Sequence, residues 1–454
     1  MNADRTRVVG GTARLLAALI LGLSAMPAAA QYGPLLSGTG PINRSMGGAA
    51  TGSPLSASGA LFWNPASLSG LDRSELDIGA ELLIPHTNLS SSLPAGSFGP
   101  GLPPVDLSGS TNNENAVFAL PTIALSYRPE QSPFTYGLGI FAVAGFGLNY
   151  PGSPLPGNPI LSSQPPFGVG LGPIFSQYQV LQIAPALVYE VNDQLSVSIS
   201  PLVDLGMAQL DPAVYANPNA NGTYPAGTHS STAWGAGYSL GAFYKAGNWN
   251  HGVSYKSKQW FQSYNFNADF AGVPRTFQLG LDLPSITSVG TSYKGFDRWL
   301  LAADLRYIDF RNTGSFGDSG FSPTGALNGV GMDSIFVVAL GTQYQLTDAL
   351  SLRTGYSWNQ NPIPNSQSSA NAASPLIIQN MLSFGASYQV TDSFLLSLAY
   401  MHGFENSISG PYVTPFGTVP GSSVTSTTSV DSLLFGATVK FGCPRCKVPC
   451  STCN

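Results

Sequence analysis

Residues 297–310 read DRWLLAADLRYIDF, a stretch in which apolar and polar side chains alternate with a period of two. The apolar side chains are Trp299, Leu301, Ala303, Leu305 and Tyr307, whereas Asp304 and Arg306 lie on the opposite parity. Successive side chains of a β-strand point to opposite faces, so the stretch predicts a strand with one apolar and one polar face. Aromatic residues near both ends of the apolar face are typical of a strand that crosses a thin bilayer.

The same alternation recurs from Ser74 onward and predicts about 14 strands. We expect them at residues 74–84, 116–128, 135–149, 178–191, 194–208, 232–246, 249–262, 276–294, 297–310, 333–347, 349–360, 378–390, 393–405 and 428–441. Short turns such as 192–193 and 347–348 alternate with long connections rich in Gly, Pro, Ser and Asn, such as 150–177 and 311–332. An even strand number with this alternation predicts an all-β fold, a transmembrane antiparallel up-and-down β-barrel over residues 74–441, with its long loops on the outer side.

The composition also favours a membrane barrel. Charged residues make up 9% of the chain, well below the roughly 25% of soluble domains. Residues 1–30 carry Arg5, Arg7 and Arg14, then an apolar run that ends in small residues, which predicts a secretory signal peptide. No later run of about 18 apolar residues occurs, so this sequence can cross a membrane only as a closed barrel. The formal net charge of −5 gives no indication of nucleic-acid binding.

Residues 31–73 lack strand alternation and are rich in Gly, Ala and Ser, with Trp63-Asn64-Pro65-Ala66 near the end of the segment. Such a composition is compatible with disorder. The apolar run Leu61, Phe62 and Trp63 favours burial instead, so we expect a compact N-terminal plug, or hatch, inside the barrel. Asn before Pro favours a fixed, extended-then-turned backbone, so Trp63, Asn64, Pro65 and Ala66 are the predicted gate of this hatch.

Residues 442–454 form a predicted periplasmic tail that contains the only four cysteines, Cys443, Cys446, Cys450 and Cys453. Their spacing is compatible with a four-thiolate zinc site. In an oxidising compartment disulfides are the more general outcome, and four cysteines allow three pairings that the sequence does not distinguish. We therefore expect disulfides, no metal site and no cofactor.

Several segments resemble the FadL/TodX family of outer-membrane transporters for hydrophobic compounds. They are GGAATGSPLSASGALFWNPASLSGL at 47–71, YGLGIFAVAGFGLNY at 136–150, LDLPSITSVGTSY at 281–293, LRTGYSWNQNPIP at 352–364 and LAYMHG at 398–403. The resemblance implies passive uptake of long-chain fatty acids, or alternatively of aromatic hydrocarbons, through a barrel closed by its hatch. It also implies sideways release of the ligand into the outer membrane through a defect in the third strand. The cysteine-rich tail departs from the family pattern.

The residues themselves indicate such a defect. Pro121 and Pro185 fall in the middle of the second and fourth predicted strands, where each lacks the N–H group that a barrel ladder needs. Between them the third strand carries Ala144, Gly145 and Gly147, which weaken pairing and favour a bulge. The alternative is that both prolines occupy tolerated bulges in an unbroken wall.

Candidate ligand-binding residues follow from the inward parity and the loops. Lys256, Lys258, Arg306 and Arg353 fall on the predicted lumen side, where a cation could bind a carboxylate. The alternative is that these charges only pair within the lumen, for example Arg306 with Asp304. In the loop 150–177, Phe167 and Phe175 belong to a predicted apolar capture surface, which loop packing would explain equally well.

Other functional classes have less support. The four histidines are scattered, and no strand-turn-helix elbow of the lipase type is predicted, so we expect no enzyme activity. A structural or adhesive surface barrel with a permanently closed hatch is the alternative to a transporter. The expected partners are a hydrophobic small molecule, outer-membrane lipid and, for the terminal strand, the outer-membrane assembly machinery. A closed barrel has no edge strand that needs a partner, so we expect a monomer.

Overall fold

The computed structural model describes residues 32–99, 102–114, 117–227, 229–270 and 273–444. Fourteen long strands form the wall, and each pairs antiparallel with the next along the chain. They are β1 (Ser74–Leu93), β2 (Phe118–Tyr127), β3 (Phe134–Tyr150), β4 (Ile174–Glu190), β5 (Leu195–Asp211), β6 (Ser231–Ala246), β7 (Trp249–Lys256), β8 (Ile286–Tyr293), β9 (Trp299–Ile308), β10 (Ile335–Gln345), β11 (Leu350–Asn359), β12 (Asn380–Thr391), β13 (Phe394–Gly410) and β14 (Ser423–Phe441). The ladder between β14 and β1 closes the barrel, which confirms the predicted 14-stranded fold.

The two faces of each strand behave as the alternation predicts. On β9, Trp299 and Leu305 are 43% and 45% exposed, whereas Asp304 and Arg306 are 2% and 0% exposed. The apolar face is therefore the outer surface of the wall, and the polar face points into the lumen.

Aromatic side chains surround the end of the barrel that carries the short turns. Neighbouring strands contribute ring pairs there, with centroids 5.3 Å apart for Phe134 and Tyr189 and 4.6 Å apart for Trp299 and Tyr344. Trp249 and Tyr293 make a third such pair at 4.6 Å. Amphipathic rings in this position are typical of the boundary between hydrocarbon and water.

Three predicted strand bounds differ from the structure by six residues or more. The first strand continues to Leu93 instead of ending at residue 84, the seventh ends at Lys256 instead of 262, and the eighth begins at Ile286 instead of 276. Tyr264–Phe270 and Val273–Leu279 pair with each other and form a hairpin outside the wall, so residues 276–279, predicted as the start of the eighth wall strand, belong to a loop. A period of two identifies a strand but not the sheet to which it belongs.

The shorter strands lie in the loops, at Leu107–Asn112, Ala226–Gly227, Trp260–Phe261, Val413–Thr414 and Gly417–Thr418. Short 3-10 helices lie at Pro159–Leu161 and Asn365–Gln367. In the part of the chain that the structure describes, no helix is long and apolar enough to cross a bilayer.

Residues 32–71 fold inside the barrel and are mostly buried. This hatch contains α1 (Gly40–Ser45), α2 (Ala57–Trp63) and a 3-10 helix (Pro65–Gly70). Local sequence explains both ends of α2. The Ser56 side chain accepts a hydrogen bond from the Gly59 N–H at its start, and Pro65 begins the 3-10 helix directly after Asn64.

Candidate functional site

The predicted gate is a buried junction between hatch and wall. Asn64 Nδ2 donates to the Thr51 carbonyl at 2.8 Å and to the Ala242 carbonyl of β6 at 3.0 Å. Its Oδ1 accepts from the Ala66 N–H at 3.2 Å, and Ser254 of β7 donates to the Trp63 carbonyl at 2.7 Å. The Asn64 side chain thus ties two hatch segments to β6, which gives the Asn-Pro sequence a concrete structural role.

Acidic side chains on the lumen face of β1 bind the hatch. Glu75 accepts a hydrogen bond from the Ala57 N–H at 2.6 Å, and Asp77 accepts one from the Ser58 N–H at 2.9 Å. These N–H groups belong to the first turn of α2, where no intrahelical acceptor is available. Glu81 forms an ion pair with Arg44 of α1 at 2.5 Å. The inward parity of these three acids was visible in the sequence, but their partners are mostly backbone groups that no side-chain pattern reveals.

Asp304 and Arg306 hold the hatch from the opposite side of the lumen. Asp304 Oδ2 accepts from the Ala50 and Thr51 N–H groups at 2.9 Å each. Arg306 Nη2 lies 2.5 Å from Asp304 Oδ2 and donates to the Gly48 carbonyl at 2.8 Å, and its guanidinium lies 3.6 Å from the centre of the Trp63 ring. Arg306 is therefore a hatch contact in this conformation, and the pairing with Asp304 is present.

The other three candidate cations also have partners. Lys256 Nζ donates to Gln182 Oε1 at 3.4 Å and lies 4.9 Å from the centre of the Phe62 ring. Lys258, which is partly exposed, pairs with Asp282 at 3.0 Å. Arg353 lies near the short-turn end, where it donates to Gln343 at 2.8 Å and to Ser387 at 2.6 Å.

The wall is interrupted between β2 and β3. The last residue pair of their ladder joins Thr122 to Phe141, although β3 continues to Tyr150. Pro121 immediately precedes Thr122 and pairs with Ala80 of β1 on its other side. Above this point β3 bulges at Val143, between Ala142 and Ala144 in its ladder with β4. Gly145 adjoins the bulge, whereas Gly147 lies in the regular ladder opposite Gln177.

A hatch segment occupies this interruption. The Leu36 N–H donates to the Val143 carbonyl at 3.0 Å, and the Gly145 N–H donates to the Pro34 carbonyl at 2.8 Å, so Leu35 bridges to Ala144 as in an antiparallel ladder. On the β2 side, the Thr39 and Thr122 hydroxyls are 2.7 Å apart. The hatch segment beside the third strand is thus Pro34–Leu36, here called the hatch strand. The predicted gate segment, Trp63 to Ala66, lies away from this interruption and contacts β6, β7 and β9.

Pro185 marks a second irregularity. It lies on the outer face of β4 and pairs with Leu138 of β3. On its other side, the ladder with β5 is interrupted between Ile183 and Leu187.

A cavity of about 1120 Å³ opens among the long loops above the hatch. Its apolar surface includes Phe98, Leu171, Ile174, Leu210 and Phe416. Tyr224 and Tyr412 also line it, and the Tyr224 hydroxyl donates to the Gly325 carbonyl at 2.8 Å. Burial raises the pKa of Tyr224 to about 12 and also raises the pKa of Tyr412, so both phenols are uncharged at neutral pH. Six different loops contribute these residues, so no single stretch of sequence marks the cavity.

The two phenylalanines of the predicted capture surface lie elsewhere. Phe167 is 90% exposed, and Phe175 has the outward parity of β4. Neither side chain lines the cavity.

Only one of the four tail cysteines lies within the described residues. Cys443 is disulfide-bonded, whereas Cys446, Cys450 and Cys453 lie outside the described part of the chain. The predicted signal segment 1–30 also lies outside it. Among the described residues no cluster of His, Cys, Asp and Glu could hold a metal ion.

Comparisons with known proteins agree with this architecture. A family model for "Outer membrane protein transport protein (OMPP1/FadL/TodX)" matches residues 19–442. Curated relatives include the long-chain fatty acid transport proteins of Escherichia coli K12, 23% identical over 77% of this chain and 83% of the relative, and of Shigella flexneri, 24% identical over the same shares.

Solved structures with the same fold include a Pseudomonas aeruginosa FadL homologue and the Pseudomonas putida toluene transporter TodX. The first aligns over 90% of this chain and 100% of its own, with a TM-score of 0.67 and 18% identity. The second aligns over 89% and 99%, with a TM-score of 0.63 and 18% identity. At this level of identity the similarity concerns the fold.

Proposed function

Since this chain belongs to the OMPP1/FadL/TodX family of outer membrane transport proteins, we propose that it takes up hydrophobic compounds passively and releases them sideways into the membrane between β2 and β3. It is a transport protein of the bacterial outer membrane and not an enzyme. In the proposed route a ligand enters the loop cavity, passes beside the hatch, displaces the hatch strand and leaves through the interruption in the wall. Long-chain fatty acids and aromatic hydrocarbons are the two ligand classes that the relatives suggest.

The single observation that carries the proposal is the incomplete ladder between β2 and β3. Where the ladders of the lipid-facing wall are intact, a molecule leaving sideways would have to break strand pairing, such as the ladder of 19 residue pairs between β1 and β14. At the interruption, the hatch strand is held to β3 by two backbone hydrogen bonds. Breaking these two bonds costs less than breaking a full strand ladder, so a small displacement opens the route.

Exit straight through the lumen would need much more free energy, because the whole hatch would have to move. Glu75, Asp77, Glu81 and Asp304 hold the hatch by buried hydrogen bonds, each of which contributes roughly 0.5–3 kcal/mol. Moving the whole hatch would break all of them and leave buried carboxyl groups without partners. Displacing only residues 34–36 leaves these contacts in place, which favours the sideways route.

A disulfide that pins the hatch strand tests the proposal. Residues joined by an antiparallel bridge have Cα atoms about 4.5–5.5 Å apart, within the range for a disulfide, so Leu35→Cys with Ala144→Cys should form one. We expect the oxidised variant to lose uptake of labelled oleate and toluene in transporter-deficient cells, and reduction to restore it. Leu340→Cys with Tyr356→Cys, an outward-facing pair in the intact β10–β11 ladder, is the matched control.

Two other outcomes of the uptake experiment would contradict parts of the proposal. Undiminished uptake through the pinned barrel would overturn the sideways route. If cells with the unmodified chain take up neither ligand, the structural or adhesive barrel becomes the better interpretation.

A further inference from the structure

The loop cavity is almost without charge. Among the described residues that line it, Asp211 is the only Asp, Glu, Lys or Arg. The remaining surface consists of apolar groups, backbone and neutral polar side chains such as Gln164 and Ser369. A ligand bound here meets one negative charge and no positive one.

The sequence explains why. The connections 151–173, 212–230, 360–379 and 411–422 each contribute to the lining, and none of them contains a charged residue. The acidic and basic residues of the outer side lie mainly in the loops 257–285 and 309–334. The neutrality is therefore a shared property of four of the six loops that line the cavity.

The charged side chains close to the cavity do not add a positive charge to its lining. Arg275 approaches the rim, but its Nη1 donates to Asn219 Oδ1 at 2.7 Å, and it is Asn219 that lines the cavity. Lys258 pairs with Asp282. Deeper in the lumen, Arg306 and Lys256 contact the hatch side chains Trp63 and Phe62.

Asp211 lies at the last position of β5, where its Oδ1 accepts a hydrogen bond from the Gly227 N–H at 3.1 Å. That bond fixes a carboxylate at the cavity surface. An anionic ligand would lose its hydration without gaining a cation and would be repelled by Asp211. An uncharged ligand meets neither obstacle.

Size alone does not select the ligand. At about 1120 Å³ the cavity is slightly larger than the roughly 300–1,000 Å³ of typical small-molecule pockets, so it has room for a single ring and for a long chain alike. Fatty acids and aromatic hydrocarbons therefore differ for this cavity mainly in charge.

We infer that the cavity admits uncharged apolar molecules and rejects carboxylates of the same size, with Asp211 as the specificity-determining residue. This inference rests on the proposed uptake function and narrows its substrate class to neutral compounds such as hydrocarbons and esters.

Matched ligand pairs test it with the full chain in transporter-deficient cells. Labelled methyl oleate is compared with oleate, and toluene with benzoate, at neutral pH. We expect the neutral member of each pair to be taken up at least about tenfold faster. Equal or faster uptake of oleate would overturn the inference while leaving the transport function intact. Uptake of neither member of either pair would instead contradict the proposed function.

A second measurement tests the residue. Asp211→Asn retains the acceptor for Gly227 and removes the charge, so the preference for methyl oleate over oleate should fall at least about threefold. Asp333→Asn, the same change at an exposed loop position outside the cavity, should leave the ratio unaltered. Arg275→Gln separates a competing role, because a loss of oleate uptake in that variant would show that Arg275 binds carboxylates. An unchanged ratio in Asp211→Asn would overturn the role of Asp211.

Discussion

Pro185 of β4 lies directly opposite Pro201 of β5. The register fixes this, since Ile183 pairs with Val203 on one side and Leu187 pairs with Ile199 on the other. Neither proline has an N–H group to donate, which explains why the ladder is interrupted there. The Ser200 hydroxyl partly compensates by donating to the Pro185 carbonyl at 2.6 Å. The wall thus has two weak points, but only the β2–β3 interruption is bridged by hatch backbone among the described residues.

Restoring strand pairing at the two weak points should have different effects on uptake. Pro121→Val supplies an N–H group beside the end of the β2–β3 ladder, so we expect that ladder to extend and uptake of toluene to fall severalfold. The control is the double variant Pro185→Val with Pro201→Val, which should raise the heat resistance of the folded barrel without reducing uptake. A loss of uptake in the double variant and none in Pro121→Val would place the exit between β4 and β5.

Arg306→Ala should loosen the hatch. The substitution removes the hydrogen bond to Gly48 and the contact with Trp63, and it leaves the buried Asp304 without its cation. Breaking a buried ion pair in this way costs about 3–5 kcal/mol, so we expect leakage, measured as greater sensitivity to large hydrophilic antibiotics. Arg353→Gln, near the short-turn end, serves as the control because the hydrogen bonds found for Arg353 are with wall residues. Reduced oleate uptake without leakage would instead indicate that Arg306 binds ligand.

Asn64→Asp tests the gate segment without changing its size. Asn64 Nδ2 donates to two carbonyl groups, and a carboxylate at this position would face both of them with a negative charge. Leaving two buried acceptors unpaired costs about 1–3 kcal/mol each, so the hatch should become sensitive to protease. Asn221→Asp, on an exposed loop, is the matched control. Equal protease resistance in both variants would reduce the Asn-Pro segment to passive packing.

Uptake of a weak acid should depend on pH. A carboxyl group with a pKa of about 4.3 becomes neutral as the pH falls below that value, so benzoate uptake should rise between pH 7 and pH 4. Toluene uptake should stay level. Tyr224, whose pKa burial raises to about 12, remains protonated throughout this range and does not contribute. Because protonation of Asp211 would act in the same direction, Asp211→Asn should show a smaller rise. A flat benzoate profile would contradict selection by charge.

The sequence predicted the wall more completely than the hatch contacts. On β9 the alternation correctly assigned Leu305 to the outer face and Arg306 to the lumen, because a strand has only two faces. The same rule assigned residues 276–279 to the wall, although they belong to a loop hairpin. The role of Arg306 depends on the Gly48 carbonyl and the Trp63 ring, which meet it only after the hatch folds. Proline and glycine content marked the region of the β2–β3 interruption, but the neighbouring hatch segment came from elsewhere in the sequence.

The bridge between Leu35 and Ala144 also determines what happens after a molecule has left. While the hatch strand is displaced, the Val143 carbonyl and the Gly145 N–H face hydrocarbon, where each unpaired backbone group costs several kcal/mol. This cost persists as long as the interruption is open and disappears when residues 34–36 return. The exit is therefore self-sealing. The unpaired backbone groups of one short stretch of β3 favour the return of the hatch strand, and this restores the permeability barrier of the membrane between passages.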